Sequence, residues 1–184
     1  MSGGTDLTLR LLEERDLPLR VAWVNDARIN ATLNIRVPVS LAGTREWFGR
    51  IRENPQREDY AFEDSSGAVV AMGGFTDIDS EVKKAELYIF VSPDMKGRGI
   101  GTMAVRLMCG HGFGKLGLKK IYLNANADNI AARRTYAKCG FALEGVMRRE
   151  VINNGLLKDR CRYALYSENP GGLQQETGGG ISLS

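Results

Sequence analysis

Three glycines in five residues, Gly97-Arg98-Gly99-Ile100-Gly101, stand between two patterned stretches. An apolar run ends at Val91-Ser92-Pro93, and beyond the glycines Met103, Ala104, Leu107 and Met108 mark one face of a helix. This strand-to-helix junction constrains the chain more than any other feature. Glycine admits backbone conformations closed to other residues and lets main-chain N–H groups approach an oxygen-rich ligand, while a helix start adds unpaired donors and a positive dipole end. The physical expectation is a cradle for phosphate or pyrophosphate. A Walker A loop is excluded by spacing, because Gly114-Lys115 is followed by Leu116 and has Cys109 where the first glycine belongs. A dinucleotide fingerprint fits poorly, because residues 97–101 follow an antiparallel meander rather than the first strand of a parallel unit. Glycines that merely make a turn and a cap are the plain alternative for this segment taken alone.

A chain of 184 residues, 43% hydrophobic and 26% charged, has the size of one globular domain and can bury a core without staples. Leu7, Leu9 and Leu11 alternate with Thr8 and Arg10 as in a half-buried strand. Asp16 reads as the cap of a short helix with Pro18 in its first turn, ending near Asn25-Asp26. The pattern over 27–39 is mixed; a second helix follows on Leu41, Trp47, Phe48 and Ile51 and stops at Asn54-Pro55. Strands over 60–63 and 68–76 flank Asp64-Ser65-Ser66-Gly67, and a polar turn over 77–84 leads to a third strand over 85–91. Beyond the glycine-rich helix come a strand over 120–125, a helix capped by Asp128 or Asn129 and closed at Cys139-Gly140, and two strands about Asn153-Asn154-Gly155. The order predicts an α+β fold with one central mixed, mostly antiparallel, twisted sheet of about seven strands flanked by about four helices. Residues 1–169 are read as a single domain and 170–184 as a Gly-rich, disordered tail.

No run approaches the roughly 18 apolar residues of a membrane span. Met1-Ser2-Gly3-Gly4 lacks the basic head and apolar stretch of a secretory signal, so a cytoplasmic location is expected. Cys109, Cys139 and Cys161 are far apart and His111 is the lone histidine, which argues against a disulfide framework, a metal site and a Ser-His-Asp mechanism. His111 itself falls inside a helical pattern and reads as structural or exposed. A net charge of +3 spread over alternating signs offers no stripe for nucleic acid, and Arg133-Arg134 and Lys119-Lys120 read as solvated faces.

Lys96-Gly97-Arg98-Gly99-Ile100-Gly101 resembles the [Q/R]-x-x-G-x-[G/A] pyrophosphate loop of the GNAT family of acyl-CoA-dependent N-acetyltransferases, with lysine in place of Gln or Arg. Asn129-Ile130-Ala131-Ala132-Arg133-Arg134-Thr135-Tyr136-Ala137-Lys138-Cys139-Gly140-Phe141 is similar to that family's second signature, N-x-x-A-x-x-x-Y-x-K-x-G-F. Both stand in the family's order, and the resemblance covers all but the tail. It implies acetyl-CoA as co-substrate, with no metal. It also implies that Lys96, Gly97, Arg98, Gly99, Ile100, Gly101 and Thr102 hold the pyrophosphate, mainly through backbone N–H groups. Further implied contacts to the cofactor are Asn129, Ala132 and Tyr136, together with the backbone of Ile89 and Val91, which pairs with the pantetheine arm where their strand splays from its neighbour. The Val91 N–H is the implied oxyanion donor, Tyr136 the general acid for the departing thiolate, and Glu86 the base. Each side chain also has a plainer reading: Asn129 as a helix cap, Tyr136 as a core aromatic, Glu86 as an outward charge.

Cys139 and Cys161 have no base beside them, which favours direct attack in a ternary complex over an acyl-cysteine intermediate. In the resembling family the acceptor site is shaped by the first helices and the last hairpin. That makes Trp23, Arg28, Asn30, Asn34 and Arg36 candidates for the mouth, with the helix core as the favoured reading of Trp23, and Asp26, Glu46, Glu144 and Glu150 carboxylates able to draw a cationic amine, with surface charge as their favoured reading. Asn124 and Asn126 are candidates to position a water or the acceptor. The style of the last strands looks most like the branch containing the ribosomal-protein N-terminal alanine acetyltransferases. The expected acceptor is a protein N-terminus or a small-molecule amine, with an amino sugar as alternative. A non-catalytic acyl-CoA sensor is the alternative of another class; it would keep the glycines and Asn129 but need neither Tyr136 nor Glu86. Apolar positions near Val146 and Leu165 would serve a homodimer or a monomer core equally.

Overall fold

The computed structural model describes residues 6–153 and 155–167; the expected tail over 170–184 lies outside them. Among the described residues seven strands form in chain order: β1 Thr8–Leu11, β2 Glu58–Glu63, β3 Val69–Asp79, β4 Lys84–Val91, β5 Lys120–Asn126, β6 Ala142–Asn153 and β7 Leu156–Tyr166. They make one mixed sheet of order β1-β2-β3-β4-β5-β7-β6. Every pairing is antiparallel except β4 with β5, which the intervening helix joins as a parallel crossover.

The helices are α1 Leu17–Asn25, α2 Ala27–Asn30, α3 Leu41–Arg52, α4 Ile100–Gly114 and α5 Ile130–Lys138. Strand alternation divides them between two faces. Phe62 and Leu87 turn to one side and pack with Ala104, Val105 and Met108 of α4 and Tyr136 of α5. Their chain neighbours Ala61 and Tyr88 turn to the other, with Leu17, Trp23, Ile29 and Phe48 from α1, α2 and α3. Complete burial of a side chain such as Phe62 contributes about 2–3 kcal/mol. α4 lies very close to the sheet at Gly112, where a Cβ would stand 2.8 Å from Phe75 Cζ and 2.9 Å from Ile121 Cδ1.

Two local expectations are corrected. The mixed segment after Asp26 holds α2, a fifth helix, started by the Asp26 carboxylate accepting from Arg28 N at 2.8 Å. Asp16 does not cap α1 with its side chain. It is buried and engaged instead by Arg10 at 2.7 and 2.8 Å and by Glu13 N at 2.9 Å, which closes the turn before the helix. Burial alone would raise its pKa, but these partners outweigh it and hold the carboxyl below its ordinary value.

The functional consequence of the topology lies between β4 and β5. They are in register only at Lys84↔Lys120, Ala85↔Ile121 and Glu86↔Tyr122. Beyond Glu86, β4 continues alongside β3 to Val91 and β5 continues alongside β7 to Asn126, so the strands part as a fork. Ser92 N donates to Val70 O at 2.9 Å, and the unbroken register from there assigns even-numbered β4 residues to β3. The N–H and C=O groups of Ile89 and Val91 therefore face the fork. On the opposite arm, Ala127 N donates to Asp159 O at 2.8 Å, so odd-numbered β5 residues bond β7 and the backbone groups of Asn124 and Asn126 face the fork.

Candidate active site

A groove of about 480 Å³ follows the β4 arm of the fork to the start of α4 and across to α5. At its α4 end the sequence dictates the geometry. Gly97 has φ +80° and Gly99 φ +81°, with no atom within 4 Å of where a Cβ would stand, so the backbone conformation and not lack of space requires glycine. Gly99 is the N-cap of α4 and offers no side chain to the helix. The donors of the first turn are left available to an anionic ligand. Ile100 anchors the turn in the core, and Gly101 lies against Val91, its Cβ position 3.6 Å from Val91 Cγ2.

The groove brings together Ile89 and Val91 from β4; Lys96, Gly97, Gly99, Ile100, Gly101 and Thr102 from the loop and α4; and Asn129, Ala132 and Tyr136 from α5. Arg98 is exposed and is not among its lining residues. Lys96 Nζ donates to the Arg28 carbonyl of α2, and the Arg28 guanidinium pairs with Asp94 at 3.0 Å and Asp26 at 2.7 Å. Hydrogen bonds from Arg28 hold the Asp26 carboxyl down at about 2. The glycine loop is thereby tied to α2.

Asn129 caps α5, its Oδ1 accepting from Ala132 N at 3.2 Å, which fixes the orientation of the helix over the groove. Two turns on from the cap, Tyr136 is buried against Phe141 and Tyr163, with ring centroids 6.1 Å away in each case. Burial pushes its hydroxyl up to about 12; Cys139 adds to this and Arg160 opposes it. Tyr136 is thus both a core aromatic and a groove residue. The Cys109 thiol is also pushed up to about 12, chiefly by burial, so it carries little thiolate.

Glu86 stands at the closed end of the fork and is not among the groove-lining residues. Its Oε1 accepts from Asn124 Nδ2 at 2.8 Å, and Asn124 Oδ1 accepts from Arg162 Nε at 3.2 Å. The carboxylate is neither an isolated surface charge nor in direct contact with Tyr136. A larger cleft, about 980 Å³, lies where α3, β2 and the end of α4 meet. It gathers Glu58, Tyr60 and His111, with Tyr60 Oη 2.8 Å from His111 Nε2, and none of the candidate residues. Among the described residues, no group of three or more His, Cys, Asp or Glu side chains is placed to hold a metal ion.

Residues 6–142 match the family model described as the acetyltransferase (GNAT) domain. The chain belongs to the GNAT acetyltransferase family. The spermidine N-acetyltransferase from Vibrio cholerae, solved in complex with CoA and spermine, superposes with a TM-score of 0.85 at 25% identity, covering 89% of this chain and 97% of that one. Its fold is the fold of this chain. The spermidine N(1)-acetyltransferase of Escherichia coli (strain K12) is 34% identical over 84 residues, 46% of this chain and 45% of that protein. The match thus spans about half the length of that curated relative. A putative ribosomal N-acetyltransferase of Bacillus subtilis is 28% identical over 99 residues, 54% of each chain, a weaker likeness to the ribosomal-protein branch.

In this GNAT chain the acceptor side differs from expectation in several places. Trp23 takes its helix-core reading, edge-on to Phe90 at 6.2 Å. Asn30 is buried, its Nδ2 donating to Ile35 O at 3.1 Å. Asn34 does reach the fork, donating to Asn126 Oδ1 at 3.3 Å, and Asn153 Nδ2 ties the last hairpin to Leu33 O at 2.7 Å. Arg36, Glu46 and Glu150 are exposed. Glu144 is engaged by Lys120 at 2.6 Å and Tyr166 at 2.7 Å. Of the positions considered for a dimer, Val146 is exposed and Leu165 is core. Sequence reasoning missed Arg160, which reaches Asn124 O at 3.5 Å. No local pattern marks it, because its place follows from the β5–β7 register and the parting of β4.

Proposed function

We propose that the protein transfers the acetyl group of acetyl-CoA directly to a primary amine, on a small molecule or a protein N-terminus, in a ternary complex. The observation that carries this reading is the fork. Unpaired backbone groups of Ile89 and Val91 face it, and an uncapped helix N-terminus at two left-handed glycines closes one end of the same groove. A phosphate-bearing, strand-like ligand with a thioester matches both features. Backbone N–H groups over 97–102 hold the pyrophosphate, with Lys96 and Thr102 beside it. Ile89 and Val91 pair with the pantetheine arm, and the Val91 N–H stabilises charge developing on the thioester oxygen.

The amine loses its proton through the Glu86–Asn124 pair, directly or by way of water. Attack forms the carbon–nitrogen bond and breaks the carbon–sulfur bond. A Tyr136 hydroxyl held at about 12 is protonated at any working pH and supplies a hydrogen bond, and then a proton, to the departing sulfur. The spermidine acetyltransferase relatives support a small-molecule acceptor, and the likeness to a putative ribosomal acetyltransferase supports an N-terminus. No helix of the described residues is long and apolar enough to cross a membrane, and a cytoplasmic setting with acetyl-CoA at hand suits the reaction. The outer edge of β6, with Val146 exposed, suits pairing with a second copy.

The test is thiol release from acetyl-CoA against a panel of N-terminal peptides, amino acids, polyamines and amino sugars, with acetyl-CoA binding measured in parallel. Acceptor-dependent release supports the reading. A protein that binds no acetyl-CoA refutes it.

A further inference from the structure

Two carboxylates stand at the closed end of the fork, with the Arg162 guanidinium over the Tyr122 ring beside them, and a guanidinium with no carboxylate partner stands at the open end. At the closed end are Glu86, in the last registered pair with Tyr122, and Asp77; burial first, and then the charge of these two carboxylates, pushes the Tyr122 hydroxyl up. At the open end is Arg160, opposite Asn126 in register. The Asn124 carbonyl points into the fork, and Arg160 Nη2 reaches it at 3.5 Å, so the guanidinium overhangs the fork from the β7 side.

Three observations show that this guanidinium is short of partners. Arg160 Nε is buried and has no hydrogen-bond partner among the described residues. Its cross-strand neighbour Asn126 is a buried amide already engaged with Asn34, so it brings no charge. Nearby carboxylates are committed elsewhere: Asp159 accepts from Arg149 N at 2.8 Å and Asp128 pairs with Lys158 at 2.5 Å. A buried guanidinium N–H left unpaired is costly, and a carboxylate or carbonyl oxygen is its natural complement. Asn124 joins the two ends, its side-chain amide held by Glu86 and its carbonyl by Arg160. An acceptor lying along it would place an amine toward the carboxylate and an oxygen toward the guanidinium. A polycation would meet Arg160 with like charge.

We propose that Arg160 is a specificity-determining residue, selecting amines that carry a carboxylate or carbonyl oxygen on the adjacent carbon, as amino acids and peptide N-termini do, over polycationic amines. This rests on the acetyl-transfer reading above and narrows its acceptor.

The experiment compares L-alanine, an alanine-headed peptide, ethylamine and spermidine as acceptors in thiol release, for the wild type, Arg160→Gln and Arg160→Lys. Acetyl-CoA binding by calorimetry reports whether each variant is folded. In the wild type, kcat/KM for alanine or the peptide should exceed that for ethylamine by about tenfold or more. Arg160→Gln should erase most of that ratio, mainly through KM of the oxygen-bearing acceptor, and Arg160→Lys should restore part of it. The alanine and peptide arms separate a free carboxylate from a peptide carbonyl as the preferred oxygen. Equal loss for ethylamine and alanine would assign Arg160 a structural role and overturn the proposal. Acetylation of spermidine but not of the oxygen-bearing amines would overturn it while leaving acetyl transfer standing. Transfer to no acceptor, by a protein that binds acetyl-CoA, would refute the transferase reading itself.

Discussion

At the scale of single residues, Tyr136 shows how one side chain answers to packing and chemistry together. Its ring fills the space between Phe141 and Tyr163, and the same burial that stabilises the core keeps its hydroxyl protonated up to about 12. Tyr136→Phe keeps the ring and removes only the donor, so acetyl-CoA affinity should survive while kcat falls about a hundredfold or more. The pH dependence has a definite sign. A general acid works while protonated, so its loss appears as a falling limb above its pKa, and with the hydroxyl at about 12 the wild-type rate should show no such limb below about pH 10. A limb below pH 10 that persisted in Tyr136→Phe would belong to another group, whereas one that disappeared there would keep Tyr136 as the acid and contradict the raised pKa that burial gives it. Tyr136 was legible from its signature, since a motif fixes a residue against its near neighbours in the chain. Arg160 was not, because its position depends on which strand lies beside which across the sheet.

At the scale of elements, alternation located β1 and helical spacing located α3 and α4, while apolar runs bounded by turns and caps marked the other strands and longer helices, β6 among them although none of its residues joins either core cluster. α2 escaped that reading for a physical reason: four residues make barely one turn, too short for a period, and an Asp26 side chain rather than an apolar stripe starts it. Register shifts within β6 and β7 were equally silent in the sequence. The loop before α4 was legible because its requirement is local. Gly99 adopts φ +81°, which costs a residue with a Cβ about 1–2 kcal/mol, whereas Asn tolerates that region. Gly99→Ala should therefore weaken acetyl-CoA binding about tenfold or more in calorimetry, and Gly99→Asn should weaken it less. The reverse order would mean that space, not backbone conformation, is what the loop guards, against the open surroundings of Gly99.

At the scale of the whole molecule, the fork divides the sheet into a β1-β2-β3-β4 part and a β5-β7-β6 part, joined by three registered pairs. The α4 face provides the other join, since residues of both parts pack on it in one cluster. A ligand that occupies the fork binds the folded chain and not the unfolded one, so it stabilises by mass action. At a hundred times its Kd it contributes about 2.7 kcal/mol. For a chain of this size each kcal/mol is worth about 2–4 °C, so saturating acetyl-CoA should raise Tm by roughly 5–10 °C. The place of that stabilisation is also specified. Amide exchange should slow at Ile89 and Val91, whose N–H groups face the fork without a β5 partner. A rise in Tm without slowing there, accompanied by slowing around Tyr60 and His111, would move the ligand to the larger cleft and take the thioester away from Glu86 and Tyr136.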